Sequence, residues 1–347
     1  MLKFSKKGNF TNTMAERKQS WLGYGVVVLL LHVVGILLLV TSRNHSALIN
    51  LAFLAYTLGL RHAFDADHIA AIDNTVRKLI QQNKNPNGVG FYFSLGHSTV
   101  VTIMTFATIF AVQWAEKEIP YFQHIGGIIG TSVSGLFLLL IGIMNLFILI
   151  NIAKSFFNMR RGMYNADKVE ELLLSRGSIF RLIHPLLRYI SKSWHVYPIG
   201  FLFGLGFDTA SEVALLAIST GAAKSAIPIS GVLALPILFA AGMSLLDTVD
   251  GIFMTNAYRW AFSTPLRKIY YNLTVTALAV MAALCIGLFE LLQVAIPQLG
   301  LREGIWGWIA NLDLGSVGYI LFGLFVFCWG LSYCIWKVFR IEQRWEM

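Results

Sequence analysis

Apolar residues fall into eight long runs along this chain, at 21–42, 48–73, 89–114, 126–152, 196–220, 229–255, 270–296 and 316–337. Runs of this kind reach the roughly 20 residues that carry a helix across a bilayer. A backbone in lipid has to satisfy its own hydrogen bonds, and runs this long and continuous do so as helices. The expected fold is all-α: a polytopic integral membrane protein with about eight transmembrane helices, forming one membrane domain over 1–347. A polar stretch at 153–195 separates four helices from four. Within it, Asp167 with Glu170 three residues later resembles a capping box at a helix start. From Phe180 to Trp194 basic and apolar residues alternate at helical spacing, which suits either a helix on the membrane surface or a soluble linker helix.

Composition agrees. Hydrophobic residues make up 56% of the 347 and charged residues 13%, about half the charged share of a soluble domain. The net charge of +9 would suit nucleic acid were it not for its placement. Of the 27 Lys and Arg, 22 fall on one set of alternate loops and termini, and Arg43, Lys117, Lys224 and Arg302 on the other. The positive-inside rule then puts both termini and the long loop in the cytoplasm of a cell-membrane protein. The three cysteines, Cys285, Cys328 and Cys334, lie in late apolar runs without paired spacing, so they indicate neither a disulfide framework nor a thiolate metal site. The first run is too long for a signal-peptide core and reads as a retained helix.

Ionisable residues inside a bilayer are costly and mark function by default. The second run carries His62, Asp65, Asp67 and His68, with Asp73 near its inner end. The third carries His97, the fifth Asp208 and Glu212, and the sixth Asp247 and Asp250. At ~1.5 Å per residue, His68, His97 and Asp247 fall at similar depth and Asp208 slightly deeper. Carboxylates in excess, beside imidazoles and without thiolate, make a site for a borderline divalent cation. On a regular helix His62, Asp65 and His68 share an arc of about 120° while Asp67 points away, so either Asp67 meets a different neighbour or the helix is irregular there. One of the two aspartates suits the second nitrogen of a metal-bound imidazole. His32 in the first run is a weaker candidate ligand, more in keeping with a helix–helix hydrogen bond. Glu290 reads as interfacial, and Arg61 as the partner of a neighbouring acid. Gly96, Gly204, Gly206 and Gly242 beside these residues suit close helix approach or broken helices.

At these residues the sequence resembles the nickel/cobalt transporter family, NiCoT. Arg61 to Ile69 (RHAFDADHI) is similar to its helix 2 signature with an HX4DH core, and Phe93 to Val101 (FSLGHSTVV) to its helix 3 motif. Leu205 to Glu212 (LGFDTASE) resembles LGxDTATE with Ser211 in place of Thr. Gly242 to Gly251 (GMSLLDTVDG) resembles GMxxxDTxDG. The resemblance covers the whole chain. It implies high-affinity uptake of nickel, cobalt or both by a single-component permease, with no ATPase subunit and no cofactor besides the transported ion. It also implies a metal path through His62, Asp65, Asp67, His68, His97, Asp208, Glu212, Asp247 and Asp250.

The chain has no GxxxxGK[ST] loop, so it does not hydrolyse ATP itself. The membrane potential supplies ~4.6 kcal/mol per divalent ion at 100 mV; the acids suit proton coupling as an alternative. Metal efflux is the rival transport reading, although the central loop has only His184 and His195. An intramembrane metalloenzyme lacks its HExxH, and a partner-dependent metal-binding subunit is the third reading. Finally, Phe64-Asp65 with His68 and Phe207-Asp208 with Glu212 precede helices bearing His97 and Asp247. With a one-residue offset, this is the pattern of an inverted repeat.

Overall fold

A computed structural model describes residues 10–42, 46–110, 112–160, 190–206, 210–225, 227–261, 265–301, 303–312 and 314–338. Eleven α-helices account for nearly all of these: α1 (Phe10–Val40), α2 (Ser46–His62), α3 (Ala66–Gln81), α4 (Val89–Phe110), α5 (Val112–Arg160), α6 (Tyr197–Gly204), α7 (Ala210–Lys224), α8 (Ile229–Ala261), α9 (Pro265–Gln298), α10 (Gly304–Ala310) and α11 (Gly315–Val338). The Asp167–Glu170 start signal and most of the amphipathic 180–194 stretch lie outside the described residues, as does Asp208.

Parts of α1, α4, α5, α8 and α9 are each long and apolar enough to cross a membrane. The second expected span is a bent pair: α2 and α3 meet at 51°. The fifth is α6 followed by α7, interrupted after Gly204. In α11 the apolar stretch is shorter, Val317–Leu331. Helix α10 is a feature that hydropathy did not anticipate; its Trp306 and Trp308 are exposed, as suits aromatic side chains at a membrane interface. Burial separates lipid-facing helices from the core. Only 11% of the α1 span is buried, against 67% of the α8 span, and Leu22, Leu29 and Leu37 of α1 are exposed.

Lipid is as apolar as leucine, so close packing rather than hydrophobic burial holds such helices together. Glycine makes the close approaches. A Cβ on Gly204 would stand 2.9 Å from the His97 carbonyl oxygen, and one on Gly242 2.7 Å from that of Tyr56. Gly96 and Gly200 face the backbones of Tyr197 and Phe93, locking α4 against α6. Gly135 of α5 and Gly287 of α9 face each other reciprocally, at 2.9 and 2.8 Å from the partner's carbonyl oxygen.

Candidate metal centre

The α2–α3 break creates the centre. On a continuous helix His62 and His68 would stand ~9 Å apart along the axis. Instead α2 ends at His62, and the chain turns through Ala63, Phe64 and Asp65. Short-range bonds satisfy the turn: Phe64 N donates to Arg61 O (3.0 Å) and Asp65 N to His62 O (2.9 Å). Asp65 then starts α3 in an extended conformation. Helix α11 supports the break, with Gly318 against the Phe64 carbonyl and Tyr319 stacked on the Phe64 ring at 5.0 Å. The irregular helix, one of the two readings left open for Asp67, is therefore present. Asp67 sits in the first turn of α3, and its Oδ1 accepts a bond from His68 N (2.9 Å).

The bend brings the His62 and His68 rings to 4.7 Å between centroids. From α4, His97 lies 4.6 Å from His62 and 4.7 Å from His68. One ring nitrogen from each of the three falls within 4.8 Å of the others. Two carboxylates orient them. His62 Nδ1 stands 2.8 Å from Asp65 Oδ2, and His68 Nδ1 donates to Asp247 Oδ2 (3.2 Å) on α8. Each such pair directs the other nitrogen, Nε2, inward as a lone-pair donor. His68 Nε2 is buried and has no hydrogen-bond partner among the described residues.

Glu212, in the first turn of α7, completes the group. His97 Nε2 lies 2.8 Å from Glu212 Oε1 and 2.8 Å from His62 Nε2, and Glu212 Oε1 lies 3.8 Å from His62 Nε2. A single proton on His97 Nε2 cannot serve both neighbours. A cation between them accepts lone pairs from all three. The donors also suit a borderline divalent ion in chemistry: neutral imidazoles and a carboxylate, with no thiolate. All are nearly inaccessible: His62 is 1% exposed, His68 0%, His97 3%, Glu212 1% and Asp247 0%.

Other expectations divide. Asp250 lies one turn beyond Asp247, buried, and neither of its oxygens has a hydrogen-bond partner among the described residues. His32 stands apart from the cluster, bonding Val28 O (2.8 Å) and Tyr56 OH (3.2 Å) and so tying α1 to α2. One assignment needs correction. Arg61 is exposed and pairs with no acid among the described residues. Glu290 is buried, 6% exposed, within α9. Hydropathy also ended the second span at 73, although α3 continues to Gln81. That extension buries Arg77 and Lys78 beside the buried Asp73, although basic residues beyond an apolar run read as a loop. Asn74 and Asn145 bond each other there (2.6 Å). The sequence signal for this inner group is the i, i+4 spacing of Asp73 and Arg77.

Over residues 48–335 the chain matches the family model NicO, described as high-affinity nickel-transport protein. It is 56% identical over 332 residues to the nickel transporter NixA of Staphylococcus aureus, covering 95% of this chain and 98% of that one. With the high-affinity nickel-transport protein NixA of Helicobacter pylori it shares 52% identity over 324 residues, 92% and 97% of the two chains. With the cobalt transport protein NhlF of Rhodococcus rhodochrous the identity is 38% over 331 residues, 93% of each. No solved structure matches it.

Proposed function

The chain belongs to the high-affinity nickel-transport protein family, and on that premise we propose that it is a nickel permease that binds Ni2+ in the histidine–carboxylate centre and releases it into the cytoplasm. It is a membrane transport protein rather than an enzyme. The observation that carries the reading is the convergence of His62, His68, His97 and Glu212 from the α2–α3 break, α4 and α7 in a buried, thiolate-free centre. Imidazole with carboxylate suits Ni2+. Cobalt is the secondary cargo: a relative named for it shares 38% identity, while the relatives named for nickel share up to 56%.

The chain works as one membrane domain in the cell membrane, with both termini and the 153–195 loop cytoplasmic, as the distribution of Lys and Arg directs. No ATPase subunit drives it. The membrane potential acts on the two charges of the ion. Asp65 and Asp247 hold the Nδ1 side of His62 and His68 so that each offers Nε2 to the ion, and Asp67 and Asp250 line the approach and exit.

Uptake of radiolabelled nickel, by cells lacking other nickel permeases and expressing this chain alone, tests the proposal. Accumulation above vector control that falls when the membrane potential is collapsed is the expected result. No accumulation by a chain that reaches the membrane overturns it.

A further inference from the structure

Past the histidine centre, α3 and α8 run side by side toward their basic ends and carry a second buried polar group. Asp250 lies one turn beyond Asp247, and Asp73 about one and a half turns beyond His68. Asp73 is wholly buried, as is Arg77, and Tyr258 is 3% exposed. Arg77 Nη2 donates to Asp73 Oδ2 at 3.2 Å. The Tyr258 hydroxyl donates to Asp73 Oδ1 and accepts from Arg77 Nη2. The guanidinium lies over the Tyr258 ring at 4.8 Å.

The group is incompletely satisfied. Arg77 Nε and Nη1 have no hydrogen-bond partner among the described residues, nor has either oxygen of Asp250. The carboxylates that bear on Asp250 are those of Asp247 and Asp73. Of these carboxylates Asp73 alone engages the guanidinium, and Asp250, when ionised, lacks among the described residues the hydrogen-bonded positive charge that a divalent ion supplies. A buried Arg engaged through a single nitrogen, on a carboxylate shared with a phenol, is also poorly compensated as a permanent ion pair.

We propose that Asp250 and Asp73 form an inner transit site for the divalent ion, between the histidine centre and the basic end of α3 and α8. Arg77 is a tethered cation that holds Asp73 until the ion displaces it. The inference rests on nickel being the substrate. Without an ion, Arg77 on Asp73 closes the inner end. An ion leaving the histidine centre for Asp250 competes for Asp73, and Arg77 is left on the face of Tyr258, a favourable seat for a guanidinium.

The purified full chain in detergent, titrated with Ni2+ alone, tests this. Wild type binds about one ion per chain, Arg77→Gln about two because Asp73 is released, and the double variant Asp73→Asn/Arg77→Gln about one. A well-folded Arg77→Gln chain that still binds one ion overturns the inference. Wild type binding none overturns the nickel reading itself. Where Arg77→Gln does not fold, Asp73→Asn decides by uptake. The maximal rate falls at least ~10-fold with half-saturation changed less than ~2-fold, as for an ion that binds normally but leaves slowly. A wild-type rate overturns the transit site.

Discussion

At the scale of single residues, two of the three imidazoles are held in place by carboxylates that do not themselves need to touch the ion. His68 Nδ1 is bound by Asp247 and His62 Nδ1 faces Asp65. Replacing His62, Asp65, Asp67 or His68 with Ala should abolish nickel uptake while the protein still reaches the membrane. Asp247→Asn keeps the shape but weakens orientation of His68, and should lower nickel affinity 10–100-fold, the usual cost of losing such a partner. Equilibrium binding on purified protein measures it, and an unchanged affinity refutes the orienting role. His32 is the contrast. Its ring is engaged with Val28 and Tyr56, so His32→Phe should keep nickel affinity within ~2-fold. The variant should lose only about 0.6 kcal/mol of stability, a typical interhelical hydrogen bond in membranes, read by thermal unfolding in detergent. The ionisable side chains were legible as exceptional because lipid penalises them. The reading of His32 as a helix–helix hydrogen bonder agrees with its bond to Tyr56; that His62 meets His97 was not legible, since depth along a helix does not fix which neighbour a ring faces.

At the scale of elements, two interrupted helices do what straight ones cannot. The α2–α3 break gathers His62 and His68. The interruption between α6 and α7 sets Glu212 in the first turn of α7, where it reaches His97. Each break is seated on glycine: Gly318 of α11 against Phe64, and Gly126 and Gly130 of α5 against Leu205 and Gly206. The α4–α6 seam is equally tight, so Gly200→Ala should push these helices apart. It should cost ~1–3 kcal/mol as an overpacked contact and reduce uptake, because His97 lies on α4. Gly221→Ala, with nothing within 4 Å of its Cβ, should leave both unchanged. Uptake together with size-exclusion profiles separates the two, and equal behaviour refutes the packing argument. Hydropathy reads the α2–α3 pair as one span because a three-residue turn with its own hydrogen bonds barely interrupts an apolar run.

At the scale of the molecule, the packing repeats itself. The α2–α3 pair packs on α8, α6 and α7 pack on α4, α4 packs on α8, and α5 packs on α9. Each interrupted helix therefore leans on the continuous helix that follows the other one. The pairs His68–Asp247 and Arg77–Tyr258 make α3 and α8 parallel. Helix α7 joins α8 through a short turn and so runs opposite to α3. Two interrupted helices of opposite direction call for a two-fold axis in the membrane plane, the arrangement in which one bundle rocks against the other around a central site. Superposing α2–α5 on α6–α9 about such an axis should align the two breaks and bring Gly135 onto Gly287. A poor overlay, or an axis along the membrane normal, removes the inverted repeat and leaves the metal centre standing.

Sequence alone determined what depends on the cost of transfer into lipid. That includes the helical class, the basic residues gathered on alternate loops, and the choice of His62, His68, His97, Glu212 and Asp247 as anomalies that demand a partner. Tertiary structure decided what depends on direction. A 51° bend brought two imidazoles six positions apart into contact. The same packing buried Glu290 in α9 and drew Asp73, Arg77 and Tyr258 into one cluster. Hydropathy records how far a side chain lies along a helix axis. Which neighbour it faces is set by the bends and glycine contacts between helices, and those are written in three dimensions only.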